Sequence, residues 1–453
     1  MKNFIILLLI TCMLLNVACK RMLDVPTPQN QLTTDKVFSD SVSVKSALFS
    51  VYAGLENQQY PLSNRYLSAY TDESMISGVD QSWNQSRLSA GEVANTGNWS
   101  NLYTAVYQCN MILEQLGPGN ILPESFKRQV RAEAKFLRGY CYFYLINLYG
   151  SVPLITVTDV NLSSKAVQSD SAAVYAQVLT DLNSAHEELS VAYPGTGRIR
   201  ANKACAAALL ARVFLYQRNW AGAENRATEV LNTGMYTPLD NITGAFKATG
   251  KEGILQLGSQ NGCTTEAGTV IPSFATVAAG YYLTDNFYAS FAPGDLRKSN
   301  WIGTSATTVS GLTTTYRYPY KYKNRVANTT APENLMILRA AEQYLIRAEA
   351  RASLGKLNGA GSAAEDLNVV RQRAGLPAVQ FIAQHDALES IADERKHELF
   401  FENCDRFLDM KRTGRLQTIM TAAKATWQPT GARLPIPLTD ITRNPNLIQN
   451  AGY

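Results

Sequence analysis

Glu394, Glu398 and Glu402 recur at four-residue spacing. On a helix that spacing stacks neighbours on one face, about 5–6 Å apart at Cβ, close to the separation at which a retaining glycosidase holds its nucleophile and its acid. A general acid, however, needs a raised pKa, and Arg395, Lys396, Arg406, Lys411 and Arg412 crowd the same stretch. Cations nearby lower carboxyl pKa values and form salt bridges, so the triplet reads as structural and no catalytic residue is assigned. His397-Glu398 opens like a helical zinc-protease motif, but Phe401 stands where the second histidine is required. Gly244 to Lys251 is one residue too long for a phosphate loop, and Glu252 replaces its Ser or Thr. There is no Gly-x-Ser-x-Gly elbow. His186, His385 and His397 lack a ligand or nucleophile partner in sequence and read as surface or capping residues. No metal set and no cofactor motif is assigned.

Carbohydrate binding asks for chemistry that is present. Pyranose rings offer apolar C–H faces to aromatic planes, and their hydroxyls bond to Asn, Asp and Arg. One segment supplies Tyr66, Tyr70, Asp72, Trp83, Asn84 and Arg87; a second supplies Tyr281, Tyr282 and Trp301. From Tyr281 to Tyr322 there are ten aromatics in 42 residues, where the chain-wide 9% gives about four. Within that stretch Tyr316, Tyr318, Tyr320 and Tyr322 alternate with Arg317, Pro319, Lys321 and Lys323. A period of two puts the four phenols on one face of a strand and the cations on the other, with Pro319 favouring an edge. The row either packs beneath helices or faces a ligand. Rings from both segments meeting on one surface would be the strong form of this reading.

The elements that must position these groups are mostly helical. Leu102, Ala105, Val106, Cys109, Ile112, Leu113 and Leu116 form one stripe between Trp99 and Leu116, stopped by Gly117-Pro118-Gly119. A second helix runs from about Glu124 to Gly150, and a third from about Ser171 to Leu189 with Ser169-Asp170-Ser171 offering caps. Ala201–Gln217 and Trp220–Asn232 flank a tight turn at Arg218-Asn219, the layout of a helical hairpin. Ala211-Arg212-Val213-Phe214-Leu215 is echoed by Ala350-Arg351-Ala352-Ser353-Leu354, followed by a helix from about Ala360 to Arg373. Small residues let such hairpins stack as tetratricopeptide units do, although alanine-rich helices also look alike by coincidence. The fold expected is mainly α: a tetratricopeptide-like hairpin scaffold with irregular aromatic-rich loops and a few short strands. Three regions are assigned: a leader over 1–19, a helical region over 20–236, and a region over 237–453 whose insert, about 250–332, lacks helical period. An interruption of that length is commonly functional.

Apolar residues at 46% and charged residues at 17% describe an ordinary folded chain, and a net charge of +5 excludes the dense basic face of nucleic-acid binding. Lys2, an apolar run from Phe4 to Leu15, and Val17-Ala18-Cys19 describe an export signal cut at a cysteine that is then lipidated; an ordinary secretory signal with a chance cysteine is the alternative. The mature protein is thus expected to be anchored to a membrane and not embedded in it. Cys109, Cys141, Cys205, Cys263 and Cys404 are odd in number and sit largely in helical stretches, so no disulfide framework is expected.

Several ordered motifs carry a family resemblance across essentially the whole chain. They are Leu23-Asp24-Val25-Pro26, Val51-Tyr52-Ala53-Gly54-Leu55, Arg131 to Gly150 running into Ser151-Val152-Pro153-Leu154, and Leu338-Arg339 through Glu349-Ala350. Glu394 to Leu399 with Arg406 to Arg412 follows, and Asn444 to Tyr453 closes the chain. On these the chain resembles the SusD/RagB family of outer-membrane lipoproteins. The resemblance implies a helical scaffold with a ligand face of irregular segments, facing the cell exterior. It also implies a role as glycan-capturing lid over a SusC-like TonB-dependent transporter, binding without hydrolysis. As a regional expectation the ligand would meet Asp72, Trp83, Asn84, Arg87, Tyr281, Tyr282 and Trp301. RagB-like relatives imply an alternative cargo, an oligopeptide.

Overall fold

The structure is a computed structural model and describes residues 33–78 and 81–453. The leader, Cys19 and the Leu23–Pro26 motif lie outside the described residues. Roughly half of the chain is helical and the strands are few and short, as expected.

The longest helix among the described residues, Glu124–Tyr149, packs between the Val93–Gln115 and Ser171–Glu188 helices. A single apolar stripe would serve a helix on a surface, but beyond its first two turns this one is covered nearly all round: Phe136, Tyr140, Tyr142, Phe143 and Tyr144 are all buried alongside the Val130, Leu137 and Leu145 stripe. It ends because Gly150 adopts φ +77°, open to glycine without strain, and an added Cβ would stand 3.0 Å from the Arg433 side chain. Caps start its neighbours. The Asp170 carboxylate accepts the Ala173 N–H for the Ser171–Glu188 helix, and the Asn202 side chain accepts that of Cys205 for Lys203–Tyr216. Asn219 accepts the Gly222 N–H to start Trp220–Asn232, after Arg218 makes the tight turn at φ +57°.

The alanine echoes are one interface. Ala211, Leu215, Ala223 and Ala227 of this hairpin pack directly on Ile346 and Ala350 of the Ala340–Ser353 helix. Small side chains bring these helix backbones close, the requirement of stacked tetratricopeptide-like hairpins. The principal core runs from Phe38 to Leu447 and draws on both halves of the chain.

Among the described residues the strands make four two-stranded antiparallel sheets: β1 (Ser74–Ile76) with β5 (Tyr281–Leu283), β2 (Val152–Pro153) with β3 (Gln168–Ser169), β4 (Gly253–Leu257) with β8 (Leu335–Arg339), and β6 (Ile302–Val309) with β7 (Leu312–Pro319). The insert is therefore built rather than structureless, holding β5, the β6–β7 hairpin and three short helices. Among the described residues no helix is long and apolar enough to cross a membrane.

Candidate functional site

The two aromatic segments, some two hundred residues apart in sequence, are joined by β1 and β5, which place Met75 opposite Tyr282 and Ile76 opposite Tyr281. Several bonds lock this ribbon. The Asn84 amide accepts the Ile76 N–H at 2.8 Å and donates to the Ile76 carbonyl at 2.7 Å, clipping the following turn onto the strand end. Thr284 donates its N–H to the Glu73 carbonyl at 3.1 Å and its hydroxyl to the Asp72 carbonyl at 2.8 Å. Ser86, at φ +53°, donates its hydroxyl to the Tyr70 carbonyl and leaves Arg87 exposed beyond it.

Neighbouring residues of a strand point to opposite faces, so Tyr281 and Tyr282 found two half-buried aromatic clusters. On one face Tyr281 meets Tyr66 edge-on at 6.5 Å, and the Arg65 guanidinium lies 5.5 Å over the Tyr281 ring. Nε and Nη1 of Arg65 are shielded from water and have no hydrogen-bond partner among the described residues. A desolvated, unpaired donor edge is costly. On the other face Tyr282 meets Tyr316 edge-on at 5.2 Å. Tyr318, on the same side of β7, lies across Gly303; a Cβ there would come within 2.4 Å of the ring.

Several expected ligand residues are placed elsewhere. Trp301 is 1% exposed, its indole N–H donating to the Ile242 carbonyl at 2.8 Å and its ring packed on Phe246 and Lys321. No face of it is open to a sugar, and it is corrected to a core residue. Trp83, 3% exposed, packs between the half-buried Tyr66 at 5.0 Å and the fully buried Tyr70 at 5.8 Å and is a floor to Tyr66, not a stacking platform. Asn84 is buried in its clip. Asp72 is held by Arg406 at 2.8 and 2.7 Å; burial opposes its charge, but the Arg406 bonds and charge prevail and keep the carboxyl below its ordinary range. Tyr281, Tyr282 and Arg87 keep surface. Tyr66 joins them, as does Arg65, which adjacency to Tyr66 alone could have signalled.

The tyrosine row is also shorter than its period implied. Pro319 ends the ladder, so only Tyr316 and Tyr318 belong to β7. Tyr322 is buried and accepts the Met336 N–H at 2.8 Å. Lys321 is buried too, donating to the Glu398 carbonyl at 2.8 Å and to the Glu402 carboxylate; burial pulls its pKa down to about 8.

The carboxylate triplet is structural, with partners other than those its neighbours in sequence offered. Arg339 binds Glu398 at 2.6 Å, Glu402 at 2.7 Å and Glu252, while Arg297 binds Glu394 at 2.6 Å and Glu398 at 3.3 Å. Arg373 binds Glu398 and Glu252. Arg395 turns instead to Asp405 and Asp409, Arg406 to Asp72, and Arg412 to Glu349. Glu398 is fully buried; burial favours its neutral form, but the Arg373, Arg339 and Arg297 charges outweigh it and hold the carboxyl well below the usual range. Such a group is not a proton donor. His397 is likewise buried, not at the surface, between Phe287 and Phe291 and bonded to Ser290 at 2.9 Å. The five cysteines beyond Cys19 are all free, and among the described residues no group of His, Cys, Asp and Glu is arranged to hold a metal.

Two family models divide the chain. One described as "Starch-binding associating with outer membrane" matches residues 22–215, and one described as "SusD family" matches residues 266–453. A SusD-like protein of Formosa agariphila is 25% identical over 434 residues, covering 81% of this chain and 81% of its own length. The starch-binding protein SusD of Bacteroides thetaiotaomicron is 32% identical over 142 residues, 28% of this chain and 23% of its own. A SusD superfamily protein from Parabacteroides distasonis superposes with a TM-score of 0.79 at 23% identity, over 93% of this chain and 100% of that one. A laminarin-binding SusD-like protein does so with a TM-score of 0.76 at 24% identity, over 91% and 99%.

Proposed function

The chain belongs to the SusD/RagB family, and from that premise we propose that it captures oligosaccharides at the cell surface and hands them, without cleavage, to a SusC-like TonB-dependent barrel over which it sits as a lid. The observation that carries this reading is the β1–β5 ribbon, which gathers half-buried rings from two distant segments on one surface. Tyr66 and Tyr281 would take the C–H face of a sugar ring, while the exposed Arg87 donates to its hydroxyls. A lipid on Cys19 would tether the protein to the outer membrane and raise the local concentration of lid and barrel, so that a modest intrinsic affinity between them suffices.

Calorimetric titration with a panel of laminari-, malto-, xylo- and mannohexaose tests the reading. A sugar face that removes roughly 50 Å² of ring from water contributes about 1.3 kcal/mol, close to a tenfold change in affinity. Tyr281→Ala and Tyr66→Ala are each expected to weaken binding by about that factor. Parent-like affinity in both variants would remove the site.

An oligopeptide is the second reading, favoured by one observation: β1 and β5 form a sheet of two strands, and the outer edge of β5 could pair with a peptide, while that of β1 is taken at Ile76 by Asn84. Mass spectrometry of the cargo retained by the native lid and barrel complex separates the two.

A further inference from the structure

Away from the aromatic ribbon, the Ser41–Gly54 helix runs into a π-turn over Leu55–Gln59 before the Tyr60–Tyr70 helix continues. Such turns are rare and gather at functional sites. This one stands between two hollows. A cavity of about 470 Å³ separates it from the 258–268 loop, and another of about 330 Å³ separates it from the Val93–Gln115 helix. Ala53 and Asn57 line both, so the hollows meet along one exposed strip of the helix.

The lining has one chemical character. Asn57, Gln260 and Asn261 present amides on one side, and Asn101 and Gln108 on the other. The side chains of Gln260, Asn261 and Asn101 have no hydrogen-bond partner among the described residues, although each amide both donates and accepts. The Phe49 ring adds an apolar plane, 41% exposed. The nearby charges are already engaged. Arg200, which stacks on Phe49, binds Glu133 at 2.5 Å, and the buried Glu56 accepts the Thr265 N–H and hydroxyl, both at 3.2 Å. A charged ligand would find no counter-ion here. A neutral polyhydroxyl chain would find donors, acceptors and a ring face together.

We propose that the two hollows form a single groove that binds an uncharged oligosaccharide as a second subsite, distinct from the Tyr66–Tyr281 surface; this rests on the glycan-capture reading. Asn57 and Tyr66 lie nine residues apart on the same run of helix, roughly 13 Å along its axis and about half a turn around it, so the two subsites are on different faces of that run.

Cys263 provides a native reporter. It lines the larger hollow and is half-exposed, whereas Cys109, Cys141, Cys205 and Cys404 are buried. Maleimide labelling of Cys263 in the purified full-length protein is followed with and without each hexaose of the panel, using Cys263→Ser as the control. A hexaose at ten times its Kd is expected to slow labelling about tenfold. Ala53→Trp, which fills the exposed strip, and the loop pair Gln260→Ala with Asn261→Ala are both expected to abolish that protection while retaining parent-like circular dichroism. The groove is overturned, with glycan capture intact, if a hexaose whose binding depends on Tyr281 leaves Cys263 labelling unchanged and both groove variants bind it as the parent does. If no hexaose gives binding heat, glycan capture fails and the groove with it. Protection by a tryptic peptide digest but by no hexaose would overturn the sugar assignment in favour of a peptide.

Discussion

Replacing Glu398 by Gln tests the structural reading of the carboxylate triplet. Through its salt bridges Glu398 belongs to a network of five cations, Arg297, Lys321, Arg339, Arg371 and Arg373, and five carboxylates, Asp295, Glu252, Glu394, Glu398 and Glu402. The charges balance, and all but Arg371 and Arg373 have side chains at most 3% exposed. Glu398→Gln keeps the shape but leaves one cation uncompensated and turns two amide N–H groups toward guanidinium N–H groups. Breaking a buried pair in this way costs about 3–5 kcal/mol. With an unfolding entropy of about 2.1 cal/mol/K per residue over 453 residues, about 1 kcal/mol corresponds to one degree, so the Tm is expected to fall by roughly 3–5 °C. Scanning calorimetry measures it, alongside titration with a glycan, whose affinity stays at the parent value. Arg373→Gln restores the charge balance, so the double variant is expected to be less destabilised than the sum of the two singles. A Tm within a degree of the parent would refute the reasoning, and hydrolysis of a glycan by the parent that Glu398→Gln abolishes would return the triplet to catalysis.

Trp301→Ala is expected to destabilise the fold by about 3–5 kcal/mol, read by urea unfolding, while glycan affinity at the ribbon is retained; a selective loss of affinity would put Trp301 back in the site. Gly303→Ala sets a methyl 2.4 Å from the Tyr318 ring and is expected to cost about 1–3 kcal/mol as the ring swings away, seen as a lower urea midpoint. Glu266 accepts from Asn64, and burial raises its carboxyl to about 8. Its contribution to stability is therefore full below the unfolded value of about 4.5 and is lost as pH rises through 8. Glu266→Gln, which keeps the acceptor, is expected to flatten the fall in Tm between pH 5 and pH 8; an unchanged profile would assign that fall to other groups.

The local signals were legible because short-range physics sets them. The Asp170 cap and the tight turn at Arg218-Asn219 stand where the residues placed them. The alanine echoes at Ala211 and Ala350 have their basis in a shared interface. Period-two alternation also placed Tyr316 and Tyr318 on one side of a strand. It could not say which side meets water. That depends on what the rest of the chain lays over each face, and for Trp301 it was Phe246, Lys321 and Arg339, brought from three separate segments.

The amino-acid sequence by itself determined the helical scaffold, the family and the two aromatic segments, since helix period, caps and ordered motifs are properties of neighbouring residues. Only the tertiary structure decided that β1 and β5 join those segments, that Arg65 ends with an unpaired edge, and that two tryptophans seal the core while tyrosines face outward. The reason is that exposure and charge pairing are set by contacts between residues hundreds of positions apart. Arg339 binding Glu252 and Glu398 is of that kind, and no local pattern encodes it.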